Sequence, residues 1–155
     1  MRILLEDPRR IRQCSRARIE RIAERALKRV RGAAFARRAQ VSLIFAGKAR
    51  MRRLNRDYRG KDRVTDVLSF PQAEGPRFPL PRTAPRVLGD VVICTEVAAR
   101  QARARGVPPG DEIEWLFVHG LLHLLGFDHA GRVQEKRMLD LQSSILGTGH
   151  AGRKG

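Results

Sequence analysis

Three of the four histidines in this 155-residue chain fall within one eleven-residue segment, HGLLHLLGFDH, at positions 119, 123 and 129. The four-residue gap puts His119 and His123 on one helix face a turn apart, within reach of a single ion. Gly126 follows, and a glycine there can adopt the left-handed conformation that ends a helix and turns the chain. His129 can then approach the same point from outside the helix. Imidazole nitrogen suits zinc, and three protein ligands with an open fourth position mark a catalytic site rather than a structural one. The remaining histidine, His150, sits in a short Gly-containing tail and offers no natural fourth ligand. The expectation is one Zn2+ held by His119, His123 and His129. Read as packing or surface residues, the three would have no reason to share this spacing.

Three neutral imidazoles leave the double charge of such an ion uncompensated, which lowers the pKa of bound water to about 7 and polarises carbonyl or phosphoryl oxygens. Hydrolysis is the reaction class that follows. The spacing also matches the HExxHxxGxxH zinc proteases, but Gly120 stands where they carry a glutamate base. A peptidase lacking that base is handicapped. A phosphodiesterase is less so, since a carboxylate there repels an anionic substrate, and a phosphate ester is the expected substrate.

The elements that must position these residues can be read from periodicity. Ile3 to Glu6 suits a short strand. Ile19, Ile22, Ala23, Ala26, Leu27 and Val30 recur at helical spacing from Ser15 until Gly32 closes the helix. Gln40 to Ala46 reads as a strand, followed by a short helix through Met51 and Leu54. Val67 to Phe70 and Val87 to Cys94 read as two more strands. The stretch between them contains Pro76, Pro79, Pro81 and Pro85 and cannot continue a ladder; it reads as a surface loop. Thr95 can cap a helix running to Arg105, Gly106 and Pro108-Pro109 enforce a break, and the metal helix begins near Asp111 with a wide apolar stripe. A last helix spans about Val133 to Ile145. The expected fold is α+β: a small mixed four-stranded sheet flanked by about five helices, in one domain over residues 1–146, with a disordered tail over 147–155.

Composition bounds the partners. With 42% hydrophobic and 31% charged residues the chain can bury a core. Its net charge of +16 is concentrated: residues 1–63 hold 21 Lys and Arg against 6 Asp and Glu, and the remainder 11 against 10. A field of one sign on one region attracts polyanions, although Arg16, Arg18, Arg21, Arg25, Lys28 and Arg29 also suit the solvated face of a helix. Cys14 and Cys94 form no CxxC pair and read as small, partly buried apolar residues. No apolar run suits a signal peptide or membrane helix, which points to the cytoplasm and no membrane partner.

HGLLHLLGFDH, together with LNRDYRGKDRVTDVLSFP (Leu54 to Pro71) and LGDVVIC (Leu88 to Cys94), resembles the bacterial YbeY family of ribosomal RNA maturation factors. The resemblance implies a zinc-dependent, single-strand-specific endoribonuclease. Its implied task is maturing ribosomal RNA, notably the 3′ end of the small-subunit RNA, and serving ribosome quality control with the small subunit and its proteins as partners. It places the zinc ligands on His119, His123 and His129 and a residue needed for activity on Arg59. A guanidinium there can hold a phosphate through two parallel hydrogen bonds, although Tyr58-Arg59-Gly60 also reads as a plain solvated turn. Thr65, Asp66 and Ser69 suit hydrogen bonds that steady the site, and Asp128 suits either chemistry or the turn beside His129. This chain departs from the family's pattern in its Arg-rich first helix, its proline-rich stretch and Ala130. Two other readings remain: a zinc peptidase, and a non-catalytic ribosome assembly factor that binds RNA around a structural zinc.

Overall fold

The structure, a computed structural model, describes residues 1–6, 14–72, 81, 84–127 and 131–147. Four strands, β1 (Arg2–Glu6), β2 (Ala39–Ala46), β3 (Val67–Pro71) and β4 (Arg86–Cys94), form one sheet in the order β1-β2-β4-β3. β1, β2 and β4 run parallel, and β3 lies antiparallel on the β4 edge. Six helices surround it: α1 (Arg16–Arg31), α2 (Ala33–Arg38), α3 (Lys48–Arg59), α4 (Thr95–Arg105), α5 (Pro109–Leu124) and α6 (Arg132–Leu146). The additional helix relative to the sequence expectation is α2. Its six residues are too few to show a period, and it forms where Gly32 turns the chain back after α1.

Alternation along the strands divides the core in two. Val41, Leu43, Phe45, Val91 and Ile93 point to one face, where they meet α1, α5 and α6. Val92, Cys94, Leu68 and Phe70 point to the other, where Met51 and Leu54 of α3 close a smaller cluster. The period of two thus assigns α5 and α3 to opposite faces. α5 is the most enclosed element: from Ile113 through Val118 every residue is buried, as a stripe too wide for a surface helix requires.

Caps follow local chemistry. Ser15 accepts from the Arg18 amide at 3.2 Å, the N-cap bond that ends the unpaired start of α1. Thr95 does not cap α4: it is the first helical residue, the cap position belongs to Cys94, and the Thr95 hydroxyl donates to the Glu96 carboxylate at 3.2 Å. α5 starts two residues before Asp111, because Pro109 takes the first helical position, where its missing N–H costs nothing. In β4, Gly89 sits at φ 131 where the β2 register shifts, and a Cβ there would stand 2.1 Å from the Phe70 carbonyl oxygen. Only glycine permits β3 to close against this bulge. Residues 73–80, within the proline-rich stretch, and the tail over 148–155 lie outside the described residues.

Candidate metal centre

Near the end of α5, the Nε2 atoms of His119 and His123 lie 3.2 Å apart, with ring centroids 4.8 Å apart and planes at 72°. Two ligands on a tetrahedral zinc at about 2.0–2.1 Å stand about 3.3–3.4 Å from one another. The pair therefore has the separation of two corners of such an ion. Both rings are half-buried, partly shielded yet accessible. Past them, Gly126 takes φ 94 and its amide donates to the His123 carbonyl at 3.0 Å, while the Phe127 amide donates to Leu122 at 3.1 Å. The bend anticipated from the glycine is present. His129 and Asp128 lie outside the described residues, and among the described residues no group of three His, Cys, Asp or Glu side chains forms a metal cluster.

Gly120 has a packing reason that the sequence did not disclose. A Cβ at this position would stand 2.7 Å from Val91 Cγ1 and 2.9 Å from Ser69 Oγ, so α5 lies directly against β4 and β3. Ser69 Oγ donates to the Gly120 carbonyl at 3.0 Å and fastens the histidine helix to the edge strand. The space that a glutamate would need is taken by the sheet. Substrate repulsion, the reason anticipated for a glycine here, is not required to explain it.

Arg59 ends α3 with an exposed side chain, on the face of the sheet opposite α5. Edge strand β3 separates it from the histidines. Gly60 follows in the left-handed region at φ 67, and buried Asn55 holds the turn by donating to the Arg63 carbonyl at 2.8 Å. Tyr58 packs edge-on against Phe70 with centroids 5.0 Å apart, which seats the end of α3 beside β3.

Thr65 and Asp66 bond to each other and to the protein frame. The Asp66 carboxylate accepts from the Val67 amide at 2.8 Å, from Thr65 Oγ1 at 3.3 Å and from Gln101 Nε2 at 3.0 Å, tying the start of β3 to α4. A cavity of about 360 Å³ opens beside His119, with Asp66, Arg105 and Glu135 on its lining. Arg105 and Glu135 were not singled out from the sequence; they come from two helices that only the fold brings together.

Two buried glutamates anchor the first turns of α5. Glu112 is fully buried and pairs with Arg105, and Glu114 pairs with Arg18 of α1 at 2.5 Å. Burial raises the Glu114 carboxyl above its ordinary value, Arg18 lowers it, and Asp111 raises it further. Burial, with Glu114 next, pushes the Cys14 thiol up to about 12, so this cysteine stays a protonated, inert side chain.

A family model described as Endoribonuclease YbeY matches residues 5–149. The chain is 44% identical over 108 residues to the protein named Endoribonuclease YbeY of Staphylococcus carnosus strain TM300, an alignment covering 70% of this chain and 71% of that one. It is likewise 44% identical over 110 residues to the same-named protein of Staphylococcus aureus strain Newman. A Thermotoga maritima protein solved in solution superposes with a TM-score of 0.60 at 24% identity, covering 94% of this chain and 87% of that chain, which shows a shared fold. With its residues matched almost end to end and its histidine helix seated against β3 and β4, the chain belongs to the YbeY endoribonuclease family.

Proposed function

We propose that this chain is a zinc-dependent, single-strand-specific endoribonuclease of ribosomal RNA maturation, acting in the cytoplasm on the 3′ end of small-subunit RNA and in ribosome quality control. The observation that carries the metal-dependent reading is the 3.2 Å separation of His119 and His123 Nε2, with His119 on the lining of a cavity. In this reading residues 1–146 act as one domain, and His119, His123 and His129 hold the ion. When bound, zinc supplies Lewis-acid polarisation of a phosphoryl oxygen and activation of water near neutral pH.

The chain's own residues supply the rest. Ser69 fixes α5 through the Gly120 carbonyl, so the two imidazoles keep their spacing without an energetic cost at the moment of reaction. Arg59, at the end of α3 beside β3, holds the phosphate on the outer side of that strand through its planar fork of N–H donors. The basic face of α3 guides the strand. Arg50, Arg52 and Arg56 are paired with Glu6, Asp62 and Asp57. Lys48, Arg53, Arg59, Lys61 and Arg63 are exposed and have no carboxylate partner among the described residues. Such cations bind RNA by releasing its condensed counterions.

The test pairs metal analysis with cleavage. The purified chain should carry about one zinc and cut precursor small-subunit RNA, and His119→Ala and His123→Ala should each lose both properties. A metal-free chain that cuts as fast as the loaded one would overturn the reading. Persistent RNA binding with no metal-dependent cleavage would favour an assembly factor.

A further inference from the structure

The cavity beside His119 has the volume of a small-ligand site, about 360 Å³ against a usual range of about 300–1,000 Å³. Val67, Leu116, Met138 and Leu139 make its walls apolar. Its charge is the reverse of what a polyanion site needs. Asp66 and Glu135 contribute carboxylates, and Arg105, the one Lys or Arg among the described residues of the lining, pairs with buried Glu112. Away from the histidines these carboxylates disfavour a phosphate, whose place in the reading above is at the ion held by His119.

The two carboxylates differ in what they have left to offer. Asp66 already accepts from Thr65, Val67 and Gln101. The Glu135 carboxylate, in the first turn of α6, is exposed and has no hydrogen-bond or ion-pair partner among the described residues. Its oxygens are available to donors that arrive with a ligand. A nucleobase fits all of these features at once: it is uncharged, has apolar faces, and carries N–H donors along its edge. Along the chain, the exposed cations Lys61 and Arg63 closely precede Asp66, which is on the cavity lining.

We propose that this cavity is a subsite for one unstacked nucleobase of single-stranded RNA, with Glu135 accepting from an N–H on its edge while the flanking phosphates stay outside on the basic surface. The proposal rests on the RNA reading above and deepens it. A base inside the cavity has left any helical stack, so paired RNA cannot fill the site without paying to unpair and unstack it. Bases with an amino group match the carboxylate best. Uracil, whose single ring N–H is flanked by two carbonyls, matches it worst.

The experiment measures equilibrium binding of the full, zinc-loaded chain to a short phosphorothioate-linked single-stranded RNA. An abasic residue is walked through each position. One position should lose affinity by about tenfold while its neighbours change little, the scale of a single accommodated base. At that position uracil should bind weakest of the four bases, and Glu135→Gln, an exposed substitution compatible with folding, should level that order. Leu139→Trp, which fills the cavity, should bind the intact oligonucleotide as weakly as the parent binds the abasic one and should lose the dependence on position. Equal losses at every position, or a position dependence that survives Leu139→Trp, overturns the subsite. Because the readout is binding, a chain that shows the abasic loss but cuts no RNA would sustain the subsite and defeat the nuclease reading; cleavage without positional loss would do the reverse.

Discussion

His119 and His123 owe their spacing to a single helix turn, so it survives whatever surrounds them, whereas Gly120 between them owes its identity wholly to its neighbours. Gly120→Ala should destabilise the fold by about 1–3 kcal/mol, the usual cost of overpacking, because its Cβ would crowd Val91 and Ser69. Denaturant midpoints would show it, and an unchanged midpoint would mean that α5 stands farther from the sheet than described. Restoring a protease-like glutamate at the same position should abolish folding rather than create a peptidase. At Arg59 the question is geometry rather than charge. Arg59→Ala should slow cleavage on the order of a hundredfold, the scale of misplacing the bound strand, and Arg59→Lys should fail to restore it. Full activity of the lysine variant would remove the two-bond role.

At the scale of elements, α5 is held at both ends by different means. Its far end is fastened by Ser69, and its middle, through the buried bond from Gln142 to the Trp115 carbonyl at 2.7 Å, by α6. Its first turns rest on two buried carboxylates, each answered by an arginine from another helix. Arg105→Met removes the ion-pair partner seen for buried Glu112 and should cost about 3–5 kcal/mol, while Arg105→Met with Glu112→Leu should recover most of that. Urea titration of both variants separates the outcomes, and equal loss in the double variant would count against the pairing. Glu114 adds a pH dependence. Its folded pKa is raised, so its contribution is fully present below the unfolded carboxylate value and is lost as pH rises through the folded value. Glu114→Gln should therefore flatten the decline in stability with rising pH just above the ordinary carboxylate range.

Across the whole molecule, the large positive charge is less uniform than the composition suggests. On α1, Arg16 and Lys28 are matched by Glu20 and Glu24, and Arg18 is drawn inward to Glu114. Arg25 donates to the Ile145 carbonyl at 2.7 Å, which commits it to holding α6. Among the described residues, exposed cations without a carboxylate partner include Arg21 and Arg29 on α1 and, in a denser group, Lys48, Arg53, Arg59, Lys61 and Arg63 on α3 and the turn after it. Arg53→Ala and Lys61→Ala should each reduce the slope of log affinity against log salt by about 0.7 for single-stranded RNA. Arg16→Ala should leave that slope nearly unchanged. Equal effects from both helices would return α1 to the binding surface.

What the sequence determined by itself was whatever depends on neighbours along the chain. The histidine pair, the Gly126 bend, the start of the first helix near Ser15 and the period-two strands are set by local backbone geometry, and each was legible from residue type and spacing. Thr95 was misplaced by one residue, and Pro109 was taken for a break rather than a start, because cap positions shift by single residues without altering the period. The tertiary structure alone decided what depends on the order β1-β2-β4-β3. That order puts β3 between Arg59 and the histidines, presses Val91 and Ser69 onto Gly120, and gathers Asp66, Arg105 and Glu135 from three elements around one cavity. Contacts between distant segments leave no period behind, since each partner satisfies its own local pattern whether or not the other is near.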